Sequence, residues 1–383
     1  MRPQQAPAER YRRPPRNTAP RGGAVQLPAS QDTYSAYVGT YQPSGKDGIF
    51  HLRFDVRSGK LSLQSAVSSV THPSFLALHP TGRSLYAVSE APGGAGGEIC
   101  AFAVDPRTGD LTLRGRRAAH GNSTCHVVVD ATGRRLLAAN YNSPTVVMYP
   151  IEPDGGMAEV PVIVRHEGAS VHPRQTEPHP HSANIDPTNR FVYCPDLGLD
   201  RVMIYRLDAA AGALTPNDPP FARTAPGAGP RHFDWHPSLR YAYVVNEIDS
   251  TVVAYAWDRA SGALRELQAV SALPTGFQGS SSCADIHVHP SGRFLYASNR
   301  GHDSIAVYRI EESGLLVPAG HEPTQGRTPR NFALDPTGAF LFAENQGSDS
   351  IVTFRVDLLT GALRPTGEVT HLPTPVCMKF APR

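Results

Sequence analysis

The sequence predicts an all-β chain: one seven-bladed β-propeller of four-stranded blades, its ring closed by N- and C-terminal strands that share a blade. Three observations lead there. A tight-turn signature recurs about every fifty residues, as His79-Pro-Thr-Gly-Arg83, Asp130-Ala-Thr-Gly-Arg134, Asp186-Pro-Thr-Asn-Arg190, His236-Pro-Ser-Leu-Arg240, His289-Pro-Ser-Gly-Arg293 and Asp335-Pro-Thr-Gly-Ala339. A second, glycine-bearing signature falls later in each unit: Asp55 to Leu61, Asp105 to Leu111, Glu152 to Gly156, Asp208 to Leu214, Asp258 to Leu264, Glu312 to Leu315 and Asp357 to Leu363. No segment carries the spacing of a long amphipathic helix. Strand, turn, strand, loop, strand, glycine turn, strand in about fifty residues is the size of one propeller blade.

Taken in order, residues 1–33 are rich in Pro, Arg, Gln and Ala without hydrophobic periodicity, and are expected to be a disordered tail. Arg12-Arg13 have no apolar stretch behind them, so no export signal is expected. The segments 34–40, 48–56 and 60–67 read as three strands of a blade that lacks its first. Gly93 to Gly97 reads as a spacer loop, since no strand and helix flank it as a phosphate cradle requires. The chain ends on Pro375-Val-Cys-Met-Lys-Phe380, a first strand without followers. Joining the ends completes the seventh blade and leaves no long sheet edge open, so one domain is expected over residues 34–383.

Composition narrows the function. The net charge is +2, and six arginines in the first 33 residues account for more than that, so the body is close to neutral. That argues against a nucleic-acid-binding surface. No apolar run is long enough for a bilayer, so no membrane partner is expected. The five scattered cysteines, 100, 125, 194, 283 and 377, contain no CxxC and fit reduced, buried thiols in a cytoplasmic protein.

The stretch Gly229 to Glu247 holds the best candidate chemistry. Phe233–Trp235 and Tyr241–Val245 read as strands about the turn His236 to Leu239, and counting outward from that turn sets Arg231 opposite Glu247. The same counting sets His72 near Glu90, His126 near Asn140, His181 near Pro195-Asp196, Asp285 and His287 near Asn299-Arg300, and Arg330 near Glu344-Asn345. Polar groups therefore collect at one mouth of the channel, and only turn residues mark the other. Plainer readings stand beside each: Arg231 and Glu247 as a structural pair, Arg300 as a loop tether, His287 as a wall residue. His179 and His181 are spaced to share a cation only if Pro180 permits it, and no third ligand motif accompanies them, so no metal is expected.

Several motifs agree in order with one family. His181-Ser-Ala-Asn-Ile-Asp-Pro187, Gly229-Pro-Arg-His232, Val245-Asn-Glu247, Ala284-Asp-Ile-His287, Asn299-Arg300 and Pro329-Arg-Asn-Phe332 resemble the cycloisomerase-2 or lactonase family, over residues 34–383. That group includes bacterial 6-phosphogluconolactonase and fungal carboxymuconate lactonizing enzyme. The resemblance implies a lactone hydrolase without a cofactor, acting on a small anionic sugar lactone. Its catalytic set falls on His181, Arg231, Glu247 and Arg300; beyond that set, the position of Arg330, His287, Asp285 and Asn345 at the same mouth makes them expected substrate contacts. Under it, Arg300 and Arg330 hold the phosphate and hydroxyls of 6-phospho-glucono-1,5-lactone, Arg231 and His181 polarise the carbonyl, and Glu247 takes the proton of water. A muconate-type cycloisomerase and a non-catalytic binding propeller are the alternatives; a monomer or weak homo-oligomer is expected.

Overall fold

Both turn signatures become turns between adjacent strands. The computed structural model describes residues 32–91 and 96–382. The tail expected over residues 1–33 lies outside them except for Asp32 and Thr33, and Thr33 opens the first strand, Thr33–Thr40. Residues 93–95 of the glycine spacer lie outside as well.

Among the described residues, seven antiparallel sheets of four strands make up the fold, with one short helical turn at Gln346–Ser348. Blade one joins Thr33–Thr40, Ile49–Asp55 and Leu61–Val67 to Pro375–Pro382, which pairs on the inner side of Thr33–Thr40 with Tyr37 opposite Lys379 and Val38 opposite Met378. The shared blade is the closure expected from the chain ends. Blades two to seven begin with inner strands at Leu76–Leu78, Thr124–Val129, Asn184–Ile185, Pro230–Trp235, Ser282–Val288 and Pro329–Leu334. The hairpin read from residues 233–245 thus extends to Pro230–Trp235 and Tyr241–Asn246.

Each signature also ties one blade to the next. Buried tyrosines on second strands donate to the glycine carbonyl of the neighbouring blade's second signature: Tyr37 to Gly109 at 2.8 Å, Tyr86 to Gly155 at 3.0 Å, Tyr193 to Gly262 at 2.7 Å, Tyr243 to Gly314 at 3.0 Å and Tyr296 to Gly361 at 2.9 Å. Gly314 has a φ of +84°, and a Cβ there would lie 2.4 Å from the Tyr241 ring, so only glycine fits both the turn and the contact. In the first signature, His79, His236 and His289 bond the carbonyls of Gly133, Gly292 and Gly338 in the following blade. Asp130, Asp186 and Asp335 cap the amides of their own turns. The histidines also accept one amide of their own turn through Nδ1, so the histidine variant adds the bond to the next blade's glycine carbonyl.

Hydrophobic clusters lie between blades, not in the channel; Phe54, Phe340, Phe342 and Phe380, for example, interlock blades one and seven. No helix among the described residues is long and apolar enough to cross a membrane. Replacing Tyr243 by Phe leaves the Gly314 carbonyl buried without its donor, and is expected to lower the unfolding free energy by about 1–3 kcal/mol in urea denaturation. An unchanged midpoint would remove the tyrosine–glycine tie from the forces holding adjacent blades.

Candidate active site

The inner strands do not pair evenly. Pro230 is opposite Asn246 but His232 is opposite Val245, so Arg231 occupies a one-residue slip in the ladder. The same slip falls at Cys125, between Thr124 and His126, at Arg330, between Pro329 and Asn331, and at Val376. Pro180 bridges Asp196 whereas Asn184 pairs with Tyr193, which puts His181 in the equivalent place. A bulge re-aims the side chain that has no ladder partner. Here Cys125, His181, Arg231, Arg330 and Val376, with Ser74, Tyr41, Phe75, His232 and Asn331, line a cleft of about 10 Å³, room for about one water-sized group.

A second ring comes from the residues just after Thr40, Ser89, Asn140, Asn246 and Asn299, which are Tyr41, Glu90, Tyr141, Glu247 and Arg300. The Glu247 carboxylate is buried and receives Arg231 Nε at 2.9 Å, Arg174 Nη2 at 2.6 Å and Arg300 Nη2 at 2.9 Å, while His181 Nε2 stands 3.8 Å away. Burial alone would raise its pKa, but Arg300, Arg231 and Arg174 overcome this and hold it far below the usual carboxylate range. Burial, reinforced by Arg231, His232 and Arg330, pushes His181 well below 6.5, so its imidazole is neutral.

In the slip of blade seven, the Arg330 guanidinium lies over the Tyr41 ring, 5.2 Å from its centroid. The Tyr41 and Ser74 hydroxyls donate to Glu90 Oε2 at 2.9 and 2.5 Å, and burial pushes the Tyr41 phenol up to about 12. Among the described residues Arg330 has no protein hydrogen bond or ion pair, so its donors are available to a ligand.

Asn331, the next residue, donates to Asp285 and so joins a polar chain that runs inward from the cleft. Behind the cleft, the Arg231 guanidinium donates to His232 Nε2 at 3.1 Å, which fixes the proton on Nδ1 for a 2.7 Å bond to Asp285 Oδ1. Burial and Arg231 bring His232 down to about 4. His287 Nε2 completes the chain at 3.0 Å from Asp285 Oδ2.

The structure gathers His181, Arg231, Glu247, Arg300 and Arg330. It separates the other three expected contacts. A slip between Cys283 and Ile286 sets Asp285 beside Ser298 and His287 opposite Tyr296, so both sit deeper in the channel than counting placed them, against a second cavity of about 290 Å³. His126 likewise lies opposite Ala139 and lines that cavity, and Thr124 takes the place opposite Asn140. Asn345 is fully buried and donates to Thr324 O, as Asn140 and Asn299 donate to Ala119 O and Ala272 O, so its amide secures a loop of its blade. His179 turns from His181 and bonds the Tyr141 carbonyl at 2.7 Å. Among the described residues no three or more His, Cys, Asp or Glu are grouped to hold a metal ion.

Sequence reasoning missed Arg174 and Tyr41. Arg174 lies in an irregular loop outside the repeat, with no signal to find it; Tyr41 was legible as the counterpart of Glu247 in blade one. Cys125 borders the cleft, and burial pushes its thiol up so that it stays protonated. The turn face is not bare either, since a cavity of about 730 Å³ lies among the turn residues of blades two and three, with Arg83, Arg114, Arg134 and Arg135 in its lining. It is an open groove remote from the buried cluster, and its Arg114 faces Asp154.

Comparison with known proteins agrees with this fold. Residues 35–380 match the family described as Lactonase, 7-bladed beta-propeller. The chain is similar to the 6-phosphogluconolactonase of Bacillus subtilis, 37% identical over 348 residues that cover 91% of this chain and 98% of that one. It is also 37% identical to the 6-phosphogluconolactonase of Formosa agariphila, over 75% of this chain and 82% of the relative. Among solved structures, the periplasmic gluconolactonase of Pseudomonas aeruginosa superposes with a TM-score of 0.85 at 31% identity, covering 91% of this chain and 99% of that one.

Replacing Glu247 by Gln leaves three guanidiniums without their shared anion, and is expected to cost about 3–5 kcal/mol of stability at pH 7. Because the carboxyl is held below its ordinary 4.5, that contribution is complete above about pH 4.5 and is lost as the pH falls through the folded-state value. Denaturant melts of wild type and variant at pH 7 and pH 3 check this: the gap should shrink in acid.

Proposed function

The chain belongs to the lactonase family of seven-bladed β-propellers, and on that premise we propose that it hydrolyses 6-phospho-D-glucono-1,5-lactone to 6-phosphogluconate. The observation that carries the reading is Arg330: a guanidinium without a protein partner among the described residues, held over Tyr41 and facing a cleft of one-water size beside neutral His181. A carbonyl oxygen fits that space and a phosphoryl group does not. Arg330 and Arg231 are therefore assigned to the carbonyl and the tetrahedral oxyanion, not to the phosphate.

The base is His181 in place of Glu247. A carboxylate bound by three arginines is a weak proton acceptor, whereas a neutral imidazole keeps its lone pair at neutral pH. Water attacks C1 and gives its proton to His181, whose growing positive charge is stabilised by Glu247 Oε2 at 3.8 Å. Collapse of the oxyanion expels the ring oxygen, which takes that proton back and opens the ring. Lactone hydrolysis rather than ring closure is supported by the relatives named above. Five buried free thiols support a cytoplasmic setting.

Purified protein is tested against fresh 6-phosphogluconolactone with spontaneous hydrolysis subtracted. Turnover is expected; turnover of carboxymuconate alone, or none with a native fold, would sink the reading. Arg330→Ala is expected to lower kcat by roughly 10²–10³-fold. With His181 held well below 6.5, kcat/KM should stay level between about pH 6 and 7.5, whereas an acid limb centred near 6.5 would remove His181 from the base role.

A further inference from the structure

We propose that Arg174 is the residue that reads the substrate's phosphate, a role that rests on the hydrolase reading above. Arg174 is the one member of the arginine cluster that no blade repeat supplies. It comes from the loop between Arg165 and Pro180, which runs over the mouth at blade four. There the position held elsewhere by Tyr41, Glu90, Tyr141, Glu247 or Arg300 is occupied by Leu197, an apolar residue. The loop fills the gap: Gln175, next to Arg174, donates to Leu197 O at 2.7 Å and to Asp200 Oδ1 at 2.6 Å. The Ser170 hydroxyl bonds Asp200 Oδ2, His166 bonds Asp196 at 2.6 Å, and the His179 amide bonds the same carboxylate at 2.7 Å. The loop is hydrogen-bonded at both ends and in the middle, which presents Arg174 at the rim beside Glu247.

Its exposure sets it apart. The Arg174 side chain is 44% exposed, against 3% for Arg231 and 14% for Arg300. Only its Nη2 is engaged, by Glu247 Oε1 at 2.6 Å and the Tyr141 hydroxyl at 2.9 Å, and among the described residues its Nε and Nη1 have no protein partner. A phosphate monoester cannot enter a cleft of about 10 Å³, so with the lactone carbonyl at Arg330 it must lie at the rim. A guanidinium there, anchored through one nitrogen, offers its two remaining nitrogens to phosphate oxygens through charge-assisted bonds.

The experiment compares kcat/KM for 6-phosphogluconolactone and unphosphorylated glucono-1,5-lactone in wild type, R174Q and R174K, with circular dichroism to confirm folding. The preference for the phosphorylated lactone should fall by roughly tenfold to a hundredfold in R174Q, mainly through KM, and by less in R174K. Equal losses on both lactones would overturn the proposal and make Arg174 a positioning residue acting through Glu247. Calorimetry with 6-phosphogluconate and gluconate gives an independent reading: a phosphate-dependent gain in affinity that vanishes in R174Q supports the role, and its absence in wild type overturns it. If wild type turns over neither lactone, the hydrolase reading fails, and the calorimetric comparison still decides the role of Arg174.

Discussion

A one-residue slip between the two innermost strands, repeated around a closed ring, is the constraint on which the site depends. A regular ladder would send alternate residues of each inner strand to fixed faces. In six of the seven blades the slip frees a residue from that alternation, and closure of the ring points these residues at a common axis. Cys125, His181, Arg231 and Arg330 are far apart in the chain and adjacent in space for this reason alone. The tyrosine–glycine ties matter here because they bind adjacent blades to one another around the ring.

Buried charge is tolerable at that axis because it alternates in sign. From the rim inward run Arg174, Glu247, Arg231, neutral His232, Asp285 and His287, joined by contacts of 2.6, 2.9, 3.1, 2.7 and 3.0 Å. Removing an inner member would leave a buried charge unpaired, which is costly. Glu247 arrays three arginines, and in the proposed reaction the proton goes to His181 instead. Asp285 acts at a distance from the cleft, by fixing the His232 tautomer that accepts from Arg231.

The blades, their number and the shared closing blade were legible in the sequence because turn chemistry is local and repeats. Counting outward from a turn also met the side chains at Arg231 and Glu247, although the backbone pairs of the ladder are Pro230 with Asn246 and His232 with Val245. Long side chains bridged the register error of one to two residues there. At Asp285 and His287 the same error mattered, since a slip moves a short side chain to another depth. Asn345 was off by one position in the second ring. Arg174 could not be read at all, because nothing in the chain's periodicity says where a non-repeating loop returns.

Arg330 and His181 mark where the ring stops serving the fold. A guanidinium without an acceptor and an imidazole kept neutral among cations both cost stability. Every other arginine of the cluster has a carboxylate, so the missing partner at Arg330 is not a failure of the ring to supply anions. Glu90 is close enough to influence Arg330, yet its Oε2 is taken by Tyr41 and Ser74. The hydroxyls hold that carboxylate aside, and in the proposed reaction the guanidinium keeps its donors for negative charge that forms only as the lactone is attacked. Donors fixed before charge appears need no reorganisation when it does, which is the condition for stabilising an oxyanion more than the ground-state carbonyl.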